Sequence, residues 1–428
     1  MNAANLPYSK DANGNCNVVF PHDFVKVNTI FELVKSAGGH TAWSDKHPAY
    51  EILNGPSGVG IDDLYAPEQA SNIANAPPGT VNGINLAATL AMCDGTTNSL
   101  PMADVSDYTT CEPAALAFDD IRVQAILNEI DGLSSDGSHP EPVPTLFGMN
   151  FQAVSIAEKL PVGGYTDAAG TPSALLASTL THVDADLGKM VGELQKKQLL
   201  ASTLVIISAK HGQSPIDKTK LAMEAGGLGN ATVQDPQPFI DAVDPNIGSH
   251  PSVFVNPNSG SSYDTDGRFQ TDDVGLLWIQ HSQDTATTAS IVSALQTKAA
   301  AIFANTLPAG TIFTSSITSG AALAAIYGDP ASSDPVAAAR APDVFIQPNW
   351  GTIYSGSSKK IAEHGGGTTD DTAVALLVSL PGFGVRKTVA TSVATTQVAP
   401  TILRALGIDP TKLQAATAEG TVVLPGLF

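Results

Sequence analysis

Two histidine–glycine steps and two lysine–histidine pairs are the residues of this 428-residue chain whose types and spacing suit chemistry. The stretch Thr203–Pro215 runs from apolar, β-branched residues straight into Lys210-His211-Gly212, and Glu363-His364-Gly365-Gly366-Gly367 repeats the pattern. Imidazole is a borderline ligand suited to zinc and similar ions, and a following glycine lets backbone approach a metal or phosphate closely. Lysine supplies fixed positive charge to an anionic substrate. A single histidine before glycine is more simply a hydrogen-bonded turn residue, but two in the same setting favour a site. Lys46-His47 repeats the pairing of cation and imidazole, although the loop around it is polar throughout. Asn150 and Gln152 offer neutral polar groups that could bind substrate at the same site, or simply cap a strand end. Asp370-Asp371 could orient His364, bind a metal through an outer contact, or form a solvated turn.

These residues need elements that deliver them to one edge. A buried strand of a parallel sheet reads as a continuous apolar run, and open α/β sheets carry their sites beyond the carboxyl ends of the strands. Around Lys46 the order is helix (Thr29 to about Lys35, with Asn28 or a Thr29/Glu32 capping box at its start), glycines 38–39, a strand at 40–43, and a polar loop. Helices are further expected at 114–130 (Val123, Ile126, Leu127 and Ile130 on one stripe), 171–199, 291–304 and 397–406. Strands are expected at 143–151, 204–208, 311–315, 343–347 and 373–379, with shorter ones near Val253 and Leu276. The alternation gives an α/β fold, read as a single domain over 1–428. Two Gly-, Asn- and Ser-rich stretches, about 54–111 and 225–282, read as insertions, the first as a long surface excursion.

With 41 acidic against 21 basic residues the formal charge is -20, which repels nucleic-acid backbone and anionic membrane. Neither is expected as a partner, and there is no apolar run of ~18 residues to span a bilayer. No secretory leader is visible at the start. P-loop, dinucleotide-binding and Gly-x-Ser-x-Gly signatures are missing, so nucleotide cofactors and an α/β-hydrolase find no support. Of the three cysteines, Cys93 and Cys111 flank a loop-like segment; a bridge between them, or three unrelated thiols with Cys16, fit the sequence equally.

Taken together, four stretches resemble the alkaline phosphatase superfamily, in its type I phosphodiesterase/nucleotide pyrophosphatase and sulfatase-like branches. They are Thr29–Leu33 with Gly38–His47, Leu204–Pro215, Arg340–Val344 through Tyr354 to Gly366, and Gln397–Leu403 with Gly407. The resemblance implies a three-layer α/β/α sandwich with a mostly parallel central sheet. It also implies His211 and His364 as metal ligands, holding a divalent metal, first of all zinc, as one or two ions, with manganese or calcium as alternatives. Lys46 and His47 resemble the substrate-touching Lys and His of the sulfatase motif. With Lys210, they are expected to act in catalysis by gripping the anion or protonating the leaving group. The departures are informative: Lys210 stands where the family has an aspartate before the histidine, and the family's Asp-x-x-x-His pair aligns with Asn150 and Val154. One metal, with lysine charge in place of the second, suits these residues better than two.

The implied function is hydrolysis of phosphoric esters, in particular diesters of small molecules, through a Ser or Thr nucleophile. The family's nucleophile segment has no counterpart in the polar stretch Met1–Lys26, which leads to the expectation of an N-terminally truncated chain, inactive as it stands. A secreted or periplasmic full-length form is expected. A sulfatase or phosphonate hydrolase is the enzymatic alternative, and a degenerate, non-catalytic member that only binds an anion is the other.

Overall fold

The computed structural model describes residues 6, 8–10, 13–67, 80–102, 105, 108–217, 316–347, 350–351, 359–380 and 387–428, with residues 253–255, 262–264, 268–271, 273–278, 289 and 292–293. The expected strand at 311–315, nearly all of the expected helix at 291–304, Tyr354 and most of the 225–282 insertion lie outside them. The chain forms two compact units, one of residues 1–210 and 375–428, the other of residues 211–374.

The first unit begins with a polar hairpin, β1 (Tyr8–Lys10) against β2 (Cys16–Val18). Helix α1 (Ile30–Ser36) follows, started by the reciprocal Thr29/Glu32 capping box. The role expected of Asn28 falls instead to Thr29; Asn28 bonds across to Gln414 and the Lys412 carbonyl. Strand β3 (Ala42–Ser44) then pairs in parallel with β4 (Asp63–Tyr65). On its other edge the extended segment 145–150 runs parallel to it, through Ala42 N–H to the Leu146 carbonyl (2.9 Å) and Ser44 N–H to the Gly148 carbonyl (2.9 Å). This is the strand expected at 143–151, reduced to two bridged positions. Gly148 allows it to lie there, because a Cβ would meet the Trp43 ring at 2.6 Å.

Helices cover both faces of this parallel centre. Leu146 packs with Phe31, Val34 and Leu403, so α1 and the C-terminal helix Val398–Ala405 lie on one side. Phe147 and Met149 pack against Ile126, Ile130 and Leu194, on α3 (Glu112–Ile130) and α5 (Ala174–Lys196). Alternate residues of an extended segment point to opposite faces, which is why neighbours 146 and 147 serve different layers. Between α3 and α5 in sequence comes α4 (Ala153–Lys159), following the short α2 (Leu86–Leu90) earlier in the chain. Strand β5 (Val205–Ser208) pairs antiparallel with Leu376–Ser379. Among the named strand pairs only β3–β4 is parallel.

Two expectations change. The 54–111 insertion is not a surface excursion: Leu86, Cys93, Tyr108 and Cys111 are buried with Ala114, Ala117 and Phe118 of α3, and Cys93–Cys111 form a disulfide. Closing that loop stabilises the fold by about 3 kcal/mol in a chain-entropy view. Helix α3 is buried nearly all round rather than along one stripe, because α2, α4 and α5 all pack on it. The small residues Ala114, Ala115 and Ala125 permit that close approach.

In the second unit, β6 (Ser214–Pro215) pairs with Ala362–Glu363. A four-stranded antiparallel sheet has the order Ser316–Ser319, Val344–Gln347, Gly275–Trp278, Arg268–Thr271. Val253–Val255 and Ser262–Asp264 form a separate pair. Among the described residues no helix is long and apolar enough to cross a membrane.

Candidate functional site

In the first unit the two lysines singled out by sequence stand just past strand ends, Lys46 two residues beyond β3 and Lys210 two beyond β5. Lys46 is half-buried, and its ammonium donates to the Gln152 side-chain carbonyl. Burial pulls its pKa down to about 8, helped by the charges of Lys210, Lys159 and Arg122 and opposed by Asp45. Four cations therefore share one neighbourhood of a protein with net charge -20. Lys159, in the last turn of α4, is only 5% exposed, and nothing in its sequence context marked it. Lys210 donates to the Tyr50 hydroxyl at 3.3 Å and sits 5.9 Å from that ring's centre. His47 precedes the 3₁₀ turn Pro48–Asn54, where its carbonyl accepts from Tyr50 N–H at 3.1 Å.

A buried ion pair builds this region from behind. Asp119 and Arg122, one turn apart on α3 and both fully buried, bond to each other. Asp119 also accepts the N–H groups of Gln152 (2.9 and 3.1 Å) and Ala153 (2.8 Å), so it satisfies the start of α4 as a capping carboxylate would. Burial pushes Asp119 upward in pKa, against the pull of Arg122 and those N–H donors. Arg122 Nε donates to the Asn150 carbonyl at 3.1 Å. Asn150 in turn reaches Asp45 Oδ1 at 3.4 Å, while Asp45 also holds Trp43 Nε1 (2.8 Å) and Lys46 N–H (2.8 Å). Lys46, Asn150 and Gln152 are thus brought together by Asp119 and Arg122, two of the buried charged residues of α3 that the apolar pattern conceals.

In the second unit His211 and His364 stack face to face, ring centres 3.8 Å apart and planes within 3°. His211 Nδ1 lies 2.7 Å from the Gly212 carbonyl, and His364 Nδ1 lies 3.0 Å from Glu363 Oε1. An acceptor at Nδ1 selects the neutral tautomer whose lone pair is on Nε2, the form a metal takes. Glu363 is itself buried and held by Lys360 at 3.0 Å. Glu363 is thus one carboxylate against His364.

Asp371 joins the two histidine loops. Its carboxylate accepts from Gly365 N–H (3.1 Å), Thr368 Oγ1 (3.3 Å) and Ser214 Oγ, and its carbonyl accepts from Gly212 N–H (2.7 Å). Asp370 accepts from Trp350 Nε1 at 2.9 Å. A Cβ on Gly212 would fall 1.8 Å from the Asp370 carbonyl oxygen, and one on Gly366 would fall 2.6 Å from carboxylate oxygens of Asp273 and Asp371, whereas one on Gly365, directly after His364, would meet nothing nearer than 4.0 Å. Gly212 thus admits neighbouring backbone, while Gly365 has space beside it.

The family model for type I phosphodiesterase/nucleotide pyrophosphatase matches residues 161–370, a span that holds Lys210, His211 and His364. The match covers a little under half of the chain, which is similar to that family over those residues. The matched family is one of phosphoester hydrolases. Among solved structures, wild-type alkaline phosphatase PafA is similar at 13% identity and a TM-score of 0.50, over 90% of this chain and 75% of its own length. That likeness supports an alkaline phosphatase-like α/β fold. Murine ectonucleotide pyrophosphatase/phosphodiesterase 5, in an inactive form complexed with AMP, matches at 10% identity, TM-score 0.48, over 94% of this chain and 78% of its own. Phosphonoacetate hydrolase from Sinorhizobium meliloti 1021, complexed with phosphonoacetate, matches at 12% identity, TM-score 0.44, over 97% and 79%. No curated protein matches the sequence.

Proposed function

We propose that this protein is a metal-dependent hydrolase of small phosphoric esters, diesters above all. The observation that carries the reading is the cation cluster around Lys46, because it concentrates positive charge where the acidic surface otherwise repels an anion. Lys46, with Lys210 beside it, would bind the phosphoryl oxygens and stabilise charge that develops on them. Gln152 and Asn150 would orient substrate, and His47 would serve as a proton donor to the leaving group. His211 and His364 would hold the divalent metal, with zinc the first candidate. Their donor set fits: each imidazole is tied at Nδ1 by an oxygen, as metal-bound histidines commonly are. A divalent metal held there would be a Lewis acid able to stabilise negative charge on an oxygen ligand. Lys210, in the position of a family carboxylate, favours one ion over two. A secreted or periplasmic location fits the Cys93–Cys111 disulfide, since such bonds persist in oxidising compartments.

Because no nucleophile is named among these residues, the test is binding: calorimetric titration with inorganic phosphate and, separately, with zinc chloride. Lys46→Ala is expected to weaken phosphate binding about 10-fold, one lost charge-assisted contact. His364→Ala is expected to remove the zinc equivalent assigned to His211 and His364 while leaving the fold intact by circular dichroism. Equal phosphate affinity in wild type and Lys46→Ala would remove the proposed anion subsite.

A further inference from the structure

Next to Asp119 on α3, a second polar group lies between helices. Asp120 faces α5, where His182 and Asp186 stand one turn apart. His182 Nε2 is 2.9 Å from Asp120 Oδ1 and 3.4 Å from Asp186 Oδ2, and one ligand atom from each residue lies within 4.8 Å of the others. A tetrahedral ion with bonds of 2.0–2.2 Å separates its ligand atoms by about 3.4 Å, so the three atoms suit one small cation.

The decisive atom is Asp186 Oδ2. The Asp186 side chain is fully buried; Oδ1 receives Lys189 Nζ at 2.6 Å, whereas Oδ2 accepts no hydrogen bond. A buried carboxylate oxygen without a donor is costly, and such an atom in a folded protein calls for an explanation. A hydrogen bond from His182 Nε2 to Asp120 is the simpler account, and it satisfies Asp120. It leaves Asp186 Oδ2 at 3.4 Å with no hydrogen bond. Glu112, buried two turns earlier on α3, accepts from Thr179 Oγ1 at 2.6 Å and has its pKa pushed upward by burial. Asp120 and His182 are partly exposed, which leaves a path for an ion from solvent.

We propose that Asp120, His182 and Asp186 form a divalent-cation site that clamps α5 onto α3, with solvent completing the coordination. One nitrogen and two carboxylate oxygens suit zinc or manganese better than calcium, which takes six to eight oxygens. The site is structural: it joins two helices of the first unit, and Asp120 is the neighbour of Asp119, which holds Gln152. It is independent of the role proposed for His211 and His364, and those residues belong to the other unit.

The experiment uses the full chain, stripped with chelator and titrated with zinc chloride alone by calorimetry, with thermal unfolding recorded alongside. In the double variant His211→Ala/His364→Ala one equivalent of zinc is expected to bind with a Kd of about 1 µM or tighter and to raise the unfolding temperature. Adding His182→Gln is expected to weaken that binding at least 10-fold and to erase the shift. No zinc binding by the double variant, or binding unchanged by His182→Gln, overturns the proposal. If the triple variant does not fold, Asp120→Asn in the same background, at a partly exposed position, must show the same loss; undiminished affinity there overturns it equally.

Discussion

The cation cluster of the first unit and the histidine pair of the second are built in different ways. Lys46 is positioned by partners far along the chain: Gln152 is 106 residues away, and the Asp119–Arg122 pair that supports Gln152 lies inside a helix buried on nearly every side. The histidine pair rests on two short loops, a two-residue strand pairing, and a glycine pressed against a carbonyl. One arrangement depends on the packing of long elements, the other on backbone approach that no side chain would tolerate. The difference teaches that the same strand-end grammar, a basic residue and an imidazole before a turn, can be stabilised by a core or by a loop. Each is vulnerable to a different kind of substitution.

The largest effect is expected from attacking the first at its buried support. Arg122→Ala would leave Asp119 as an uncompensated buried charge, with an expected loss of about 3–5 kcal/mol in urea unfolding. The contrast drawn above fails if Arg122→Ala unfolds at the wild-type midpoint. Next comes the loop-built pair. Gly212→Ala places a methyl against the Asp370 carbonyl, and overpacking of this kind costs about 1–3 kcal/mol. Zinc affinity attributable to His211 and His364 should fall with it, whereas phosphate affinity attributable to Lys46 should not. Loss of both together would show that the two regions are not built independently.

The smallest effect is the most specific. Because Lys46 is held near pKa 8 in the folded chain, below the usual lysine value of 10.5, phosphate binding should decline as pH rises through about 8. Stability moves the other way. Between about 8 and 10.5 the unfolded chain holds the proton that folded Lys46 has released, so this residue's contribution to stability rises with pH across that window. Below about 8 both states are protonated and the cost of burying the charge is fully present. Lys46→Arg should move the decline in phosphate binding to a much higher pH, since guanidinium does not titrate there. A profile unchanged by Lys46→Arg would assign the titration to another group.

Much of this was legible in residues alone. The Thr29/Glu32 box starts α1, the apolar run before Lys210 forms a strand, and Gly407 follows the C-terminal helix in the left-handed conformation (φ 73°). Each is a local signal, in which a cap, a period or a permissive glycine acts within a few residues. The histidines were visible for the same reason, as rare residues in a repeated setting. Other features were hidden. The 143–151 segment has the composition of a strand but bonds as one at only two positions, because pairing depends on the neighbour's register. On α5 the apolar Leu180 is 43% exposed, while the polar Thr179 and Asp186 are fully buried. Polar residues read as solvent-facing unless the partner that satisfies them is known, and those partners lie on α3, roughly 67 residues distant in the case of Glu112.

What the sequence by itself determined is therefore a family resemblance, several of the helices to within a few residues of their ends, and the lysines and histidines that could do chemistry. Tertiary structure alone decided three further matters: that Cys93 and Cys111 bond, that Lys46 sits among three other cations, and that His211 and His364 stack. The physical reason is that propensity and capping act between near neighbours, whereas a pKa, a disulfide or a ring stack is fixed by distances across the fold. Lys46 is an ordinary lysine until burial and Lys210 reach it.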